Sequence, residues 1–158
     1  MPQFEIVALG GTFDIIHKGH IELLSKAFSI SSHVIIGLTG DELADKMGKS
    51  LIDNYSKRFE TLTLVIKKNF PNSSYSISKL ENDFGPAAIE GKVGALVVSE
   101  ETRNKGNILN KLRKKKNLQS VKIVTVPMAL AEDGSRISTT RIRNSEIDKE
   151  GNLLWIDK

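Results

Sequence analysis

Apolar residues recur along the chain with two alternating periods. Phe4 to Leu9 is a nearly continuous apolar run, which predicts a short buried strand ending at the Gly10-Gly11 pair. From about Lys18 to Ser29 the apolar residues Ile21, Leu24, Ala27 and Phe28 fall at helical spacing, and Val34 to Leu38 is again β-branched and short. Together these segments read as a βαβ unit of about 35 residues.

The theme repeats. Asp53 or Asn54 can cap a helix carrying Tyr55, Phe59, Leu62 and Ile66, closed by Pro71 ahead of a strand from Tyr75 to Leu80. A Gly-Pro loop follows, then a strand over Gly94 to Ser99, a basic helix over Gly106 to Lys116, a fifth strand over Val121 to Val126 and a last short helix over Ser138 to Ile147. Strands interleaved with helices predict an α/β fold: one doubly wound, five-stranded parallel sheet covered on both faces, because each right-handed crossover lays its helix across the sheet. Such a sheet takes ligands at the carboxyl ends of its strands, near the point where the winding reverses.

The length of 158 residues suits one domain spanning 1–158, with a core over about 4–147 and a short C-terminal tail. With 39% hydrophobic and 27% charged residues, global disorder is excluded. Against 19 acidic residues the 23 Lys and Arg leave only +4, too small a surplus to indicate nucleic acid. The run Lys111 to Lys116 reads as a solvated helix end, since cations there complement the helix dipole and no stacking aromatics interleave them. With no cysteine, a disulfide framework, a thiolate metal site and a Cys nucleophile are excluded, and a reducing cytoplasm is compatible. No stretch approaches the roughly 18 apolar residues that span a bilayer, and the start Met1-Pro2-Gln3-Phe4-Glu5 lacks the pattern of a signal peptide. A cytoplasmic protein with no membrane partner is the expectation.

Candidate chemistry is densest after the first strand, in Gly10-Gly11-Thr12-Phe13-Asp14-Ile15-Ile16-His17-Lys18-Gly19-His20. Glycines let backbone N–H groups approach an anion, and a helix starting near His17 points its positive dipole end at the same place, so phosphate is the natural guest. His17 and His20, at i and i+3, can face one ligand as hydrogen-bond donors. A zinc site would want a third ligand, and His33 at the start of a strand is the only other histidine, so no metal site is assigned. A histidine at a helix start also serves simply as a cap. The turn carries neither the dinucleotide fingerprint nor a Walker A loop; Gly48-Lys49-Ser50 lacks the required upstream glycine and strand, which leaves Lys49 as a mobile cation near the sheet's edge. A second anion site is expected near the C-terminus, where Arg136-Ile137-Ser138-Thr139-Thr140-Arg141-Ile142-Arg143 gathers hydroxyls and cations at a helix start.

The stretches His17-Lys18-Gly19-His20 and Ile137-Ser138-Thr139-Thr140-Arg141 resemble the two signatures of the HxGH nucleotidyltransferase superfamily, in the expected order. Within it the chain is most similar to the archaeal and eukaryotic type of phosphopantetheine adenylyltransferase, through Gly10-Gly11-Thr12-Phe13-Asp14, Asp83-Phe84-Gly85-Pro86 and Val97-Val98-Ser99-Glu100-Glu101-Thr102, over about residues 4–147. The resemblance implies a Rossmann-like nucleotidyltransferase fold. It implies transfer of AMP from ATP to 4′-phosphopantetheine, giving dephospho-coenzyme A and pyrophosphate with Mg²⁺ and no covalent enzyme intermediate. It further implies that Thr12 orients the attacking phosphate, His20 hydrogen-bonds the α-phosphate, His17 supports the ATP phosphates, and Lys49, or Lys46 in another register, neutralises the nucleophile. Gly10, Gly11 and Phe13 would belong to the nucleotide-binding loop, Ser138, Thr139 and Arg141 would hold the β- and γ-phosphates, and Arg103 would line the nucleotide or acceptor pocket. Thr139 departs from the family's usual Ser while keeping the hydroxyl. The competing expectations are a sister enzyme of the same fold, transferring cytidylyl or acting on flavin or nicotinamide mononucleotide, and a catalytically silent nucleotide-binding domain.

Overall fold

The computed structural model describes residues 2–82, 84–88, 90–127, 129–131, 133–134, 137, 142, 146–152 and 154. Within them the strands are β1 (Phe4–Gly11), β2 (Ser31–Thr39), β3 (Tyr75–Leu80), β4 (Val93–Ser99) and β5 (Lys122–Val126). The helices are α1 (Lys18–Ile30), α2 (Asp41–Lys46), α3 (Tyr55–Asn69) and α4 (Asn104–Lys115), with 3₁₀ turns at Gly85–Ala88 and Glu100–Thr102. The strands form one sheet in the order β3-β2-β1-β4-β5, and every pairing is parallel. This is the α/β architecture that the apolar periodicity predicts. The chain winds outward from β1 through β2 to β3, then returns to β4 and β5, so the reversal lies between β1 and β4. That is where a doubly wound sheet opens a crevice at its carboxyl edge.

The inner strands β1, β2 and β4 are covered on both faces, which is why they read as apolar runs, whereas the edge strand β3 alternates. On one face Val7, Leu9, Val34, Ile36, Leu38, Ala95 and Val97 pack under Leu24 and Ala27 of α1 and Leu62 and Ile66 of α3. On the other, Ala8, Leu96 and Val98 meet Leu109 of α4 and Ala87 of the 3₁₀ turn. The crossover from β3 to β4 is thus made by a single 3₁₀ turn among its described residues, where the sequence places a Gly-Pro loop. Asn54 rather than Asp53 caps α3, its side chain accepting the Lys57 N–H at 2.9 Å.

Several boundaries differ from expectation. β1 continues through Gly10 and Gly11, because Gly37 and Leu38 of β2 pair with them and the ladder holds the glycines extended. α2 has no counterpart in the apolar pattern; its six residues carry almost no apolar face, and it starts with Asp41 and Glu42, whose charge suits a helix N-terminus. Phe59, expected on the core side of α3, is 40% exposed. The basic end of α4 is not wholly solvated: Arg113 is 1% exposed, donating from Nε to the Gln119 carbonyl at 2.7 Å and from Nη1 to those of Ala87 at 2.7 Å and Glu90 at 3.0 Å. A run of cations conceals this because a guanidinium's fixed fork suits converging carbonyls, which local sequence does not reveal.

Most of the helix expected over Ser138 to Ile147 lies outside the described residues. Ile142 is helical, whereas Ile147 is in a β-bridge and buried with Ala129, Ala131 and Ile137. The Lys18 N–H donates to the Lys149 carbonyl at 2.9 Å, bringing this C-terminal segment to the start of α1. No helix among the described residues is long and apolar enough to cross a membrane.

Candidate active site

The loop after β1 turns sharply and buries its aromatic residue. Phe13 has φ of 50°, an unfavourable backbone region for a non-glycine residue, and its ring, 1% exposed, packs against the His20 imidazole at 5.0 Å between centroids. Its side chain is therefore a support under the histidine. Asp14, also buried, accepts the N–H groups of Ile52 at 2.9 Å and Asp53 at 3.0 Å, tying this loop to the one that follows α2.

His17 and His20 cap α1 reciprocally. The Gly19 N–H donates to His17 Nδ1 and the His17 N–H donates to His20 Nδ1, each at 3.1 Å, and the two rings lie 4.0 Å apart. Gly19 is required for this contact, since a Cβ at that position would stand 2.9 Å from the His17 ring. Burial lowers the His17 pKa from 6.5 to about 4. Burial, reinforced by His17, lowers that of His20 to about 3. Both imidazoles are therefore neutral at physiological pH, and with each Nδ1 accepting a backbone N–H, each ring proton resides on Nε2. Capping through Nδ1 does not use the Nε2–H, so a cap and a hydrogen-bond donor, alternatives in the sequence, are compatible in one ring.

The second loop is built by a helix stop. Gly48, with φ of 75°, follows α2; its N–H donates to the Asp45 carbonyl and that of Lys49 to the Ala44 carbonyl, both at 3.0 Å. This is a Schellman motif, in which glycine at the left-handed position reverses the chain. Gly48-Lys49-Ser50 is thus a helix terminus and not a phosphate loop, and it delivers Lys49 to a pocket also lined by Gly10, Gly11, Thr39, Ser99, Thr102 and Lys105. Burial against that wall, with Lys105 close by, lowers the Lys49 pKa, and Glu101 opposes the shift. Lys46 sits on α2 and is not part of this lining.

The pocket joins the ends of β1 and β4 at the winding reversal. Thr12 follows β1 directly and is half-buried, with its carbonyl held by Arg58 at 2.9 Å. Arg103 is exposed at the N-terminal boundary of α4. Ser138, Thr139 and Arg141, like Asp83, lie outside the described residues. Among the described residues no three His, Asp or Glu side chains gather as a metal site, and His33 hydrogen-bonds Ser74 at 2.7 Å and Ser76 at 3.2 Å, away from the other histidines. Lys105, Asp14 and Arg58 were missed in the sequence. The first could have been found as a cation just after a strand end; the other two sit in patterns that also occur in ordinary loops and helices.

The model of the cytidylyltransferase-like family matches residues 8–145. The phosphopantetheine adenylyltransferase of Methanosarcina barkeri is 42% identical over 150 residues, covering 93% of this chain and 91% of its own. That of Methanothermobacter thermautotrophicus is 36% identical over 152 residues, covering 96% and 91%. The crystal structure of a protein of unknown function from Archaeoglobus fulgidus superposes with a TM-score of 0.67 at 29% identity, covering 76% of this chain and 87% of that one.

Proposed function

Since the chain belongs to the cytidylyltransferase-like family and, within it, to the phosphopantetheine adenylyltransferases, we propose that the loop after β1 is where it performs that family's reaction. The activity is transfer of AMP from ATP to 4′-phosphopantetheine, a step of coenzyme A synthesis. A phosphate oxygen of the acceptor attacks the α-phosphorus of ATP, the new P–O bond forms in line with the breaking one, and pyrophosphate leaves with the displaced electron pair. No proton needs to be removed from an ionised phosphate, so the protein's work is positioning and stabilising charge.

The reading rests above all on the neutral imidazole pair. Rings that cap α1 through Nδ1 present Nε2–H donors of fixed orientation, and a preorganised donor at the α-phosphate stabilises charge that develops during transfer. In this assignment His20 serves the α-phosphate, His17 the ATP phosphates, Thr12 the attacking phosphate and Lys49 the negative charge between them. Ser138, Thr139 and Arg141 hold the β- and γ-phosphates, with Gly10, Gly11 and Phe13 forming the loop's backbone cradle and Arg103 at the pocket's rim. The donor set near the cap does not fit a protein-held divalent cation: both Nδ1 atoms and both Asp14 oxygens accept backbone N–H groups, and the charged residues in the pocket lining are Lys49 and Lys105. Mg²⁺ is therefore assigned to the ATP phosphates as part of the substrate. The reaction is placed in the cytoplasm, where ATP is supplied.

The test is pyrophosphate release from ATP or CTP with 4′-phosphopantetheine, flavin mononucleotide or nicotinamide mononucleotide as acceptor. Release is expected with ATP and 4′-phosphopantetheine together. Release with another pair in their place, or ATP binding without turnover, overturns the proposal. In the same assay His20→Ala should lower kcat by about 10²–10³, the usual cost of a lost oxyanion donor, with the fold intact.

A further inference from the structure

Thr12 and Lys49 come from separate stretches of chain, one after β1 and one after α2, and their separation is set beneath the surface. Arg58, in the first turn of α3, is 0% exposed. Its Nη1 donates to the carbonyls of Thr12 at 2.9 Å and Thr39 at 2.7 Å, its Nε to that of Asp53 at 3.1 Å, and its Nη2 to Asp41 Oδ1 at 2.8 Å. One rigid guanidinium therefore gathers the loop after β1, the end of β2, the start of α2 and the segment that follows Lys49.

Asp14 makes a second tie between the same two loops by accepting the Ile52 and Asp53 N–H groups. From β2, the Thr39 hydroxyl donates to the Gly11 carbonyl at 3.1 Å, closing the network on the glycine end of β1. The ion pair itself is weak evidence of a stabilising design, because the Asp41 side chain is 54% exposed and water screens it. What the guanidinium provides here is geometry: donors in a fixed plane hold three carbonyls from three segments at set distances.

We propose that Arg58, assisted by Asp14, is a positioning residue of the transferase, setting the separation of Thr12 and Lys49 so that the acceptor phosphate lies in line with the α-phosphorus. The inference rests on the roles given to Thr12 and Lys49 above. The ATP side has two further anchors outside the clamp, the reciprocal cap and the Lys18–Lys149 backbone bond. Disturbing the clamp should therefore affect the acceptor more than ATP.

The experiment compares wild type, Arg58→Lys and Asp14→Asn by pyrophosphate release with 4′-phosphopantetheine and ATP, by equilibrium ATP binding, and by thermal melting. Expected for each folded variant is a kcat lower by about 100-fold, the scale of a misplacement near 1 Å, with a raised KM for 4′-phosphopantetheine. ATP binding should stay near wild type. A lower melting temperature with wild-type kcat and acceptor KM in the folded protein overturns the proposal, since that is the signature of a merely structural arginine. Should Arg58→Lys fail to fold, Asp14→Asn decides, because it keeps the guanidinium: the same kinetic split sustains the proposal and wild-type kinetics overturn it. A wild-type protein that binds ATP but releases no pyrophosphate with 4′-phosphopantetheine strikes the functional assignment itself, and the inference falls with it.

Discussion

At the scale of single residues, the decisive property is the protonation of His17 and His20. Their folded pKa values of about 4 and about 3 lie below the 6.5 of an unfolded histidine. Between these limits the unfolded chain binds more protons than the native one, so stability rises with pH through that window. Their contribution is complete above about pH 6.5 and is lost as pH falls toward the folded values. Melting temperature is accordingly expected to drop between pH 6.5 and 4.5, with His20→Gln flattening part of the slope; a flat wild-type profile would contradict the burial argument. On the same grounds neither histidine should add an acid limb near 6.5 to kcat/KM beyond the ionisation of the substrate phosphates themselves, and, in the role proposed for Lys49, the alkaline limb should lie below that of an ordinary lysine. The sequence makes the histidine pair visible through spacing alone. Their neutrality is not visible, because it comes from Phe13 folding back under His20 and from the packing of the surrounding loops.

Among the elements, α1 and α2 show how helix ends build a site. The glycine in His17-Lys18-Gly19-His20 leaves room for an imidazole to fold over the first turn. In an ordinary helix position Gly→Ala gains roughly 0.5–1 kcal/mol. Here Gly19→Ala should instead lose about 1 kcal/mol, the worth of a helix cap, since its Cβ displaces His17. Urea denaturation reads the sign directly, and a gain in stability would show that the cap tolerates a side chain. The end of α2 has the opposite legibility. Its Gly-Lys-Ser tripeptide imitates a phosphate loop in sequence, yet the hydrogen bonds identify a Schellman stop that carries Lys49 to the pocket. Six residues without a long apolar stripe offer no periodicity to read, so α2 itself went unpredicted.

Considered as a whole molecule, the domain uses two buried arginines on opposite sides of the sheet for different ends. Arg58 joins the site loops, whereas Arg113 joins α4 to the turn that covers the second sheet face. Arg113→Met would leave the carbonyls of Ala87, Glu90 and Gln119 without their donor and should destabilise the protein by about 3 kcal/mol, while kcat and KM of the folded protein stay unchanged. Chemical denaturation combined with the pyrophosphate assay tests this, and altered kinetics would show that the second face reaches the site. Neither arginine is distinguishable from its neighbours in the chain: Arg58 occupies an amphipathic helix and Arg113 a run of cations.

The sequence by itself determined the α/β class, the positions of all five strands to within a few residues, and the glycine–histidine loop where chemistry gathers. These are local properties: apolar period, helix start signals and motif spacing are written over stretches of ten or so residues. Only the tertiary structure decided the order β3-β2-β1-β4-β5, the neutral state of the imidazoles, the choice of Lys49 over Lys46 for the pocket lining, and the arrival of Lys105 from beyond β4. The strand order and the meeting of Lys49 with Lys105 depend on segments far apart in the chain coming to one edge of the sheet, and throughout the site burial and the charges already there set what a side chain can do.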